Sequence, residues 1–199
     1  MSEPRAGEGR PLRADARRNR ERILAAAEAV FDAKGPEAST EAVAGEAGVA
    51  VGTVFRHFPT KPDLVEAVFI GRLRRLAERA RELADSPDPG GAFFGFLETW
   101  AELAATKHAF ADALAATGVD VAARAAGGDY PVARAELTAA VGRLLARAQD
   151  GGAVRRDVGV EELNAILIGA ARTAEQLRSD RALRGRALGV VFDGLRPRP

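Results

Sequence analysis

Cysteine is absent from the 199 residues, which removes disulfides, thiolate nucleophiles, iron–sulfur clusters and cysteine-bound zinc together. Histidine occurs only at His57 and His108. His108 and Asp112 stand four apart, but without further ligands such a pair reads as solvated or capping, so no metal site is expected. No run free of Asp, Glu, Lys and Arg exceeds nine residues, against about 18 apolar residues for a spanning helix, and no membrane role is expected. The first twenty residues are polar and Arg-rich with no apolar centre, unlike a secretory signal, and the expected location is the cytoplasm. The P-loop, HExxH and GxSxG signatures are all missing, so neither an enzyme nor a cofactor is expected. A net charge of +1 is too small for a helical protein that coats DNA without preference.

What is abundant is alanine, the strongest helix former, and composition alone favours an all-α fold. Residues 1–14 contain Pro4, Gly7, Gly9 and Pro11 and little to bury, which predicts a flexible basic arm with helix beginning near Asp15. Ile23, Leu24, Ala27, Val30 and Phe31 then recur at helical spacing, and Lys34-Gly35-Pro36 supplies a cationic last turn, a stop and a breaker. Ser39 or Thr40 can cap a second helix through Ala47, Gly48 can take a left-handed turn, and Val51 to Phe58 can form a third helix. Thr60 and Asp63 form something like a capping box for a fourth, from Lys61 to about Ala84. Asp85-Ser86-Pro87-Asp88-Pro89-Gly90-Gly91 breaks it, and further helices are predicted near 92–106, 107–117, 119–126, 131–150, 160–178 and 181–194. The expected organisation is an arm at 1–14, a helix-turn-helix domain at 15–60, and a larger helical domain at 61–199.

The stretch from Thr40 to Phe58 carries the functional signal. Ala44 is small where two helices would cross, Gly48 turns the chain four residues later, and Val43, Val49, Val54 and Phe58 would face a shared core. Val51, Gly52, Thr53, Phe55, Arg56 and His57 remain outward, on a helix able to enter a major groove about 12 Å wide. Charge is distributed to match: residues 1–22 carry a net +3, and residues 47–62 carry Arg56 and Lys61 with no acid. These segments would meet phosphates, leaving sequence preference to the third helix.

Arg22-Ile23-Leu24-Ala25-Ala26-Ala27, Phe31, Gly35, Thr40, Val43-Ala44, Ala47-Gly48-Val49, Gly52-Thr53, Phe55-Arg56-His57-Phe58, Lys61 and Leu64 resemble the N-terminal signature of TetR/AcrR-family transcriptional regulators. That resemblance implies an all-α homodimer whose N-terminal helices bind a palindromic operator in double-stranded DNA. It also implies a C-terminal domain that dimerises and encloses a small-molecule effector, most members being repressors that the effector releases. By the same resemblance Thr40 and Lys61 would touch phosphate, Val51, Gly52 and Thr53 would face bases, and Phe55, Arg56 and His57 would lie along the backbone or groove. Ala50, Val51 and Phe55 depart from the commonest pattern of a hydroxyl residue, a Lys or Arg, and a Tyr. Thr53 and Arg56 are therefore expected to carry more of the specificity.

The C-terminal half resembles the family only loosely, with a resemblance to an SbtR-like subgroup. Phe93, Phe96, Trp100, His108 and Phe110 are candidate ligand-pocket residues, although aromatics at helical spacing serve as core more often than as pocket. Leu163, Ile166, Leu167, Gly169, Ala170 and Thr173, followed by Leu183, Leu188, Val191 and Phe192, suit a two-fold helical interface.

Overall fold

A 26-residue first helix, α1 (Gly9–Lys34), follows from one apolar stripe: Ile23, Ala26, Ala27, Val30 and Phe31 are all buried in the computed structural model. That model describes residues 9–116, 126–176 and 180–197, without side chains at 9–14, 102–114, 116, 171–176 and 181. α1 begins six residues before the predicted start at Asp15, so residues 9–14 of the expected arm are helical, while residues 1–8 lie outside the described residues. The reason is local. Arg, Leu and Ala dominate residues 10–18, Pro11 falls in the first turn where its missing N–H costs nothing, and the ion pairs Asp15–Arg18 and Arg17–Glu21 follow helical spacing. The helix ends where Gly35 adopts φ 81° and donates its N–H to the Phe31 carbonyl at 2.9 Å.

Helix α2 (Thr40–Ala47) starts from Ser39, whose Oγ accepts the Ala42 N–H at 3.2 Å; of the two expected caps, Ser39 is the one used. Helix α3 (Val51–His57) stops one residue short of the predicted Phe58, which is extended at φ −136°. Helix α4 (Lys61–Ala84) begins with the expected capping box. Asp63 Oδ2 accepts from the Thr60 N–H at 2.9 Å and from Thr60 Oγ1 at 2.7 Å, and the Asp63 N–H donates back to Thr60 Oγ1 at 3.3 Å.

Helix α5 (Pro89–Ala116) is continuous where the sequence predicts a break at residue 106. No Gly or Pro interrupts residues 96–116, so nothing forces the ladder to stop. The helix predicted at 119–126 falls almost wholly outside the described residues. Then come α6 (Tyr130–Asp150), α7 (Val160–Gln176) and α8 (Arg181–Asp193), each within two residues of its predicted bounds. Gln149 closes the α6–α7 connection by donating its side-chain amide to the Arg155 and Val158 carbonyls at 3.0 and 2.9 Å. Arg147 Nε reaches the Ala84 carbonyl at the end of α4 at 3.1 Å, satisfying one of the acceptors a helix C-terminus leaves open. Among the described residues every regular element is a helix.

The chain divides into two compact units, Met1–Val68 with Ala113–Val119, and Phe69–Asp112 with Asp120–Pro199. The division falls inside α4. Leu64, Val65 and Val68 are all buried, at 3% exposure or less, so the first two turns of α4 complete the first unit instead of merely leaving it. In the second unit Phe93, Phe96, Leu97, Val141, Leu144 and Leu163 are essentially inaccessible. Its chain end is fastened there by the Arg196 guanidinium, 4.4 Å above the Phe94 ring, and by the Arg155 N–H donating to the Leu195 carbonyl at 2.9 Å.

The box at α4 has a measurable weight. Asp63→Ala removes both acceptor contacts at the helix start and should lower unfolding stability by about 1 kcal/mol in a urea titration followed by circular dichroism.

Candidate nucleic-acid interface

Three residues separate α2 from α3. Gly48 crosses into left-handed space at φ 64°, its N–H donating back to Gly45 at 3.2 Å, and the Val49 N–H reaches the Ala44 carbonyl at 3.0 Å. This closes α2 with the paired bonds of a Schellman-type end, which a residue with a Cβ would strain. Ala44 at 2% exposure and Val43 at 0% fill the crossing with Val54 and Phe58, as their spacing predicts.

With seven residues, α3 has room for one buried position, Val54. Its remaining positions are exposed or half-buried. Gly52 and Arg56 are exposed, Phe55 is 43% exposed, and Val51, Thr53 and His57 are half-buried. The helix contains no acid and ends in Arg56 and His57. The sequence thus brings six of its predicted DNA-facing residues onto one short helix. Thr40, the first residue of α2, is buried at 8% exposure, so little of its hydroxyl side chain is presented outward. Next to it, the Glu41 carboxyl lies below its ordinary range because its own backbone N–H and the Ser39 hydroxyl both stabilise the charged form. An anion there suits the positive end of a helix.

Three cations have intramolecular partners that sequence reading did not foresee. Lys61 Nζ donates to the Glu37 carbonyl at 2.8 Å, joining the start of α4 to the α1–α2 loop. Arg22 Nη2 donates to the Ala47 carbonyl at 2.7 Å. The Arg20 guanidinium lies 5.1 Å from the centroid of the Phe58 ring. One signal was available for Arg22: α2 has no basic residue in its last turn, which leaves its terminal carbonyls open to a donor from another element.

The candidate pocket residues behave differently. Phe93, Phe96 and Trp100 are 0%, 1% and 8% exposed, and the Phe96 and Trp100 rings lie 5.9 Å apart, so in this state they pack as core of the second unit. The side chains of His108 and Phe110 lie outside the described residues. An open groove of about 320 Å³ runs between α7 and α8, lined by residues including Ile166, Gly169, Ala170, Leu188 and Val191. A shallower one of about 460 Å³ follows the α6 face at Tyr130, Arg134 and Thr138. Neither is lined by Phe93, Phe96 or Trp100. Leu163, Leu167 and Phe192, read from sequence as interface residues, instead point into the unit, at 0%, 1% and 7% exposure. Among the described residues no group of three His, Cys, Asp or Glu side chains could hold a metal, and no helix is long and apolar enough to cross a membrane.

Two family models match the chain. Residues 23–68 match bacterial regulatory proteins of the tetR family, and residues 88–197 match the C-terminal domain of SbtR-like transcriptional regulators. An 82-residue stretch is 39% identical to the HTH-type regulator TtgW of Pseudomonas putida, covering 41% of this chain and 58% of that protein. A 54-residue stretch is 44% identical to an HTH-type transcriptional regulator of Staphylococcus aureus, covering 27% of this chain and 29% of the relative. The chain therefore spans well under two thirds of these curated relatives. Solved structures match over far more. A TetR transcription regulatory protein from Mycobacterium vanbaalenii is 40% identical with TM-score 0.70, covering 94% of this chain and 100% of that one. A TetR transcriptional regulator from Streptomyces coelicolor is 34% identical with TM-score 0.73, covering 90% and 99%.

Gly52 provides a direct test of the α3 surface. No heavy atom lies within 4 Å of where its Cβ would stand and its φ is ordinary, so packing does not require glycine there. Gly52→Ala should raise thermal stability by about 0.5–1 kcal/mol through helix propensity. It should at the same time weaken DNA binding in a fluorescence-anisotropy titration if α3 approaches the duplex closely.

Proposed function

Because this chain belongs to the TetR family of DNA-binding transcriptional regulators, we propose that it is a homodimeric repressor, released from a palindromic operator when a small molecule binds its C-terminal domain. The observation that carries the DNA-binding half is the acid-free surface of α3, on which Gly52, Phe55 and Arg56 are exposed and Val51 and Thr53 half-buried. Such a face fits a major groove, where Thr53 and Arg56 supply polar contacts to base edges and phosphate and Val51 offers an apolar surface to a thymine methyl group. Phe55 lacks a hydroxyl for a phosphate, and its exposed ring contributes contact area along the groove wall. His57 and Lys61 lie toward the flanking backbone, whereas Thr40, 8% exposed at the start of α2, has little side chain left to reach a phosphate. Lys61 uses one of its three donors on Glu37 and retains the others for a phosphate.

The homodimer is supported by the α7–α8 surface. Ile166, 38% exposed, lines a groove floored by small residues that lets helices approach closely, and Ile168, Leu183 and Val190 are further exposed apolar side chains on the same two helices. A second copy of the same surface would cover it with two-fold symmetry and present two copies of α3 to half-sites about one helical turn of DNA apart.

The effector response has a chain-level basis. α4 is one helix with residues in both units, so displacement of its second half on ligand binding would be delivered to the turns that follow α3. Phe93, Phe96 and Trp100 are the proposed aromatic wall, with His108 and Phe110 further along α5. In the state described they are packed, so a ligand entering there must part them. A helical enzyme or carrier is the competing class, and the acid-free α3 surface favours the regulator.

Selection of random duplexes on the purified protein should recover a palindrome, and saturating effector should lower affinity for it. Transcription from the adjoining promoter should rise when the regulator is deleted; a fall would identify an activator. Replacing Thr53 and Arg56 together with Ala should weaken operator binding roughly tenfold or more with the dimer intact. Ile166→Glu should yield monomers in sedimentation and lose the two-half-site complex; a dimer that persists would place the interface elsewhere.

A further inference from the structure

By helical register Arg20 and Arg22 flank the buried stripe of α1 formed by Ile23, Ala26, Ala27 and Val30, one on each side. Each reaches an opposite flank of α3. Arg22 meets the chain before it, donating through Nη2 to the Ala47 carbonyl at 2.7 Å, and its guanidinium lies 3.4 Å from where a Cβ on Gly48 would stand. Arg20 meets the chain after it, over the Phe58 ring at 5.1 Å. Between these two contacts stand Val51–His57 and nothing else that is helical.

We infer that Arg22, assisted by Arg20, is a positioning residue for recognition: α1 grips both ends of α3 and sets the angle at which it is presented to DNA. This rests on the DNA-reading role proposed for α3 and changes how the basic character of residues 1–22 is understood. Total charge in that segment predicts that its arginines meet phosphates. Arg22 is instead engaged with a carbonyl at the negative end of α2, where a guanidinium is favoured by the helix dipole as well as by the hydrogen bond. The two roles differ in kind. A phosphate ligand adds affinity to every duplex and steepens the salt dependence, whereas a brace acts through orientation and affects only the duplex whose base edges α3 must meet in register.

The test uses the full chain, the operator recovered by selection, and a scrambled duplex of equal length, over a potassium chloride series. Arg22→Gln should weaken operator binding about tenfold, the scale of a charge-assisted hydrogen bond, while scrambled-duplex affinity and the salt slope stay at wild-type values. Arg22→Lys, which keeps the charge and a shorter hydrogen-bond donor group, should recover part of the loss, and Arg20→Gln should show a smaller effect of the same kind. Equal losses on both duplexes, with a log–log salt slope shallower by about 0.9, would make Arg22 a phosphate ligand and overturn the inference. Unchanged operator binding would overturn it as well. If the wild-type protein discriminates no sequence, the regulator reading itself fails, and amide hydrogen exchange without DNA still decides the brace. Faster exchange from Gly48 through Phe58 in Arg22→Gln supports it, and unaltered exchange refutes it.

Discussion

The N-terminal unit depends on how α2 is stopped. A helix end leaves carbonyls without partners, and here the chain must turn within three residues and begin a new helix at once. Gly48 in left-handed space returns N–H groups to Ala44 and Gly45, and Arg22 supplies a further donor from α1, to Ala47. Without that closure α3 would have no fixed origin. Its seven residues bury a single side chain, Val54, far too little to orient a helix by hydrophobic contact. Orientation is therefore imposed from outside, by the turn before α3, by Phe58 after it, and by the capped start of α4.

This division of labour explains what could be read from the sequence. Positions constrained by backbone chemistry were legible, because Gly48 before a polar-faced segment, Ser39 before α2, and Thr60 three residues before Asp63 each have few physical alternatives. The apolar stripe of α1 was legible for the same reason. What could not be read were contacts whose partner is a carbonyl. Lys61 to Glu37 and Arg22 to Ala47 join residues 24 and 25 apart, and every residue has a carbonyl, so no residue type marks the acceptor. Boundaries set by continuity were also hidden. The start of α1 at Gly9 and the unbroken α5 reflect the absence of any breaker rather than the presence of a signal.

In the second unit the sequence located the bulk but not its use. Phe93, Phe96 and Trp100 share a helical face whether that face closes a core or lines a pocket, and periodicity is identical in the two cases. Leu163 and Leu167 point into the unit whereas Ile166 lines the α7–α8 groove, a distinction of one hundred degrees or less around a helix that only packing resolves. Gly169, Ala170, Leu188 and Val191 lie along that groove together.

Trp100 is the sole tryptophan and Tyr130 the sole tyrosine of the chain, and both belong to the second unit. Intrinsic ultraviolet emission from this protein therefore has a single address. Trp100 sits in apolar surroundings against Phe96, so its spectrum should be blue-shifted and responsive to anything that parts the α5 aromatics. The DNA-reading unit is optically silent in that window. An emission change on adding duplex, corrected for the duplex's own absorption, would consequently report on the second unit without any attached dye.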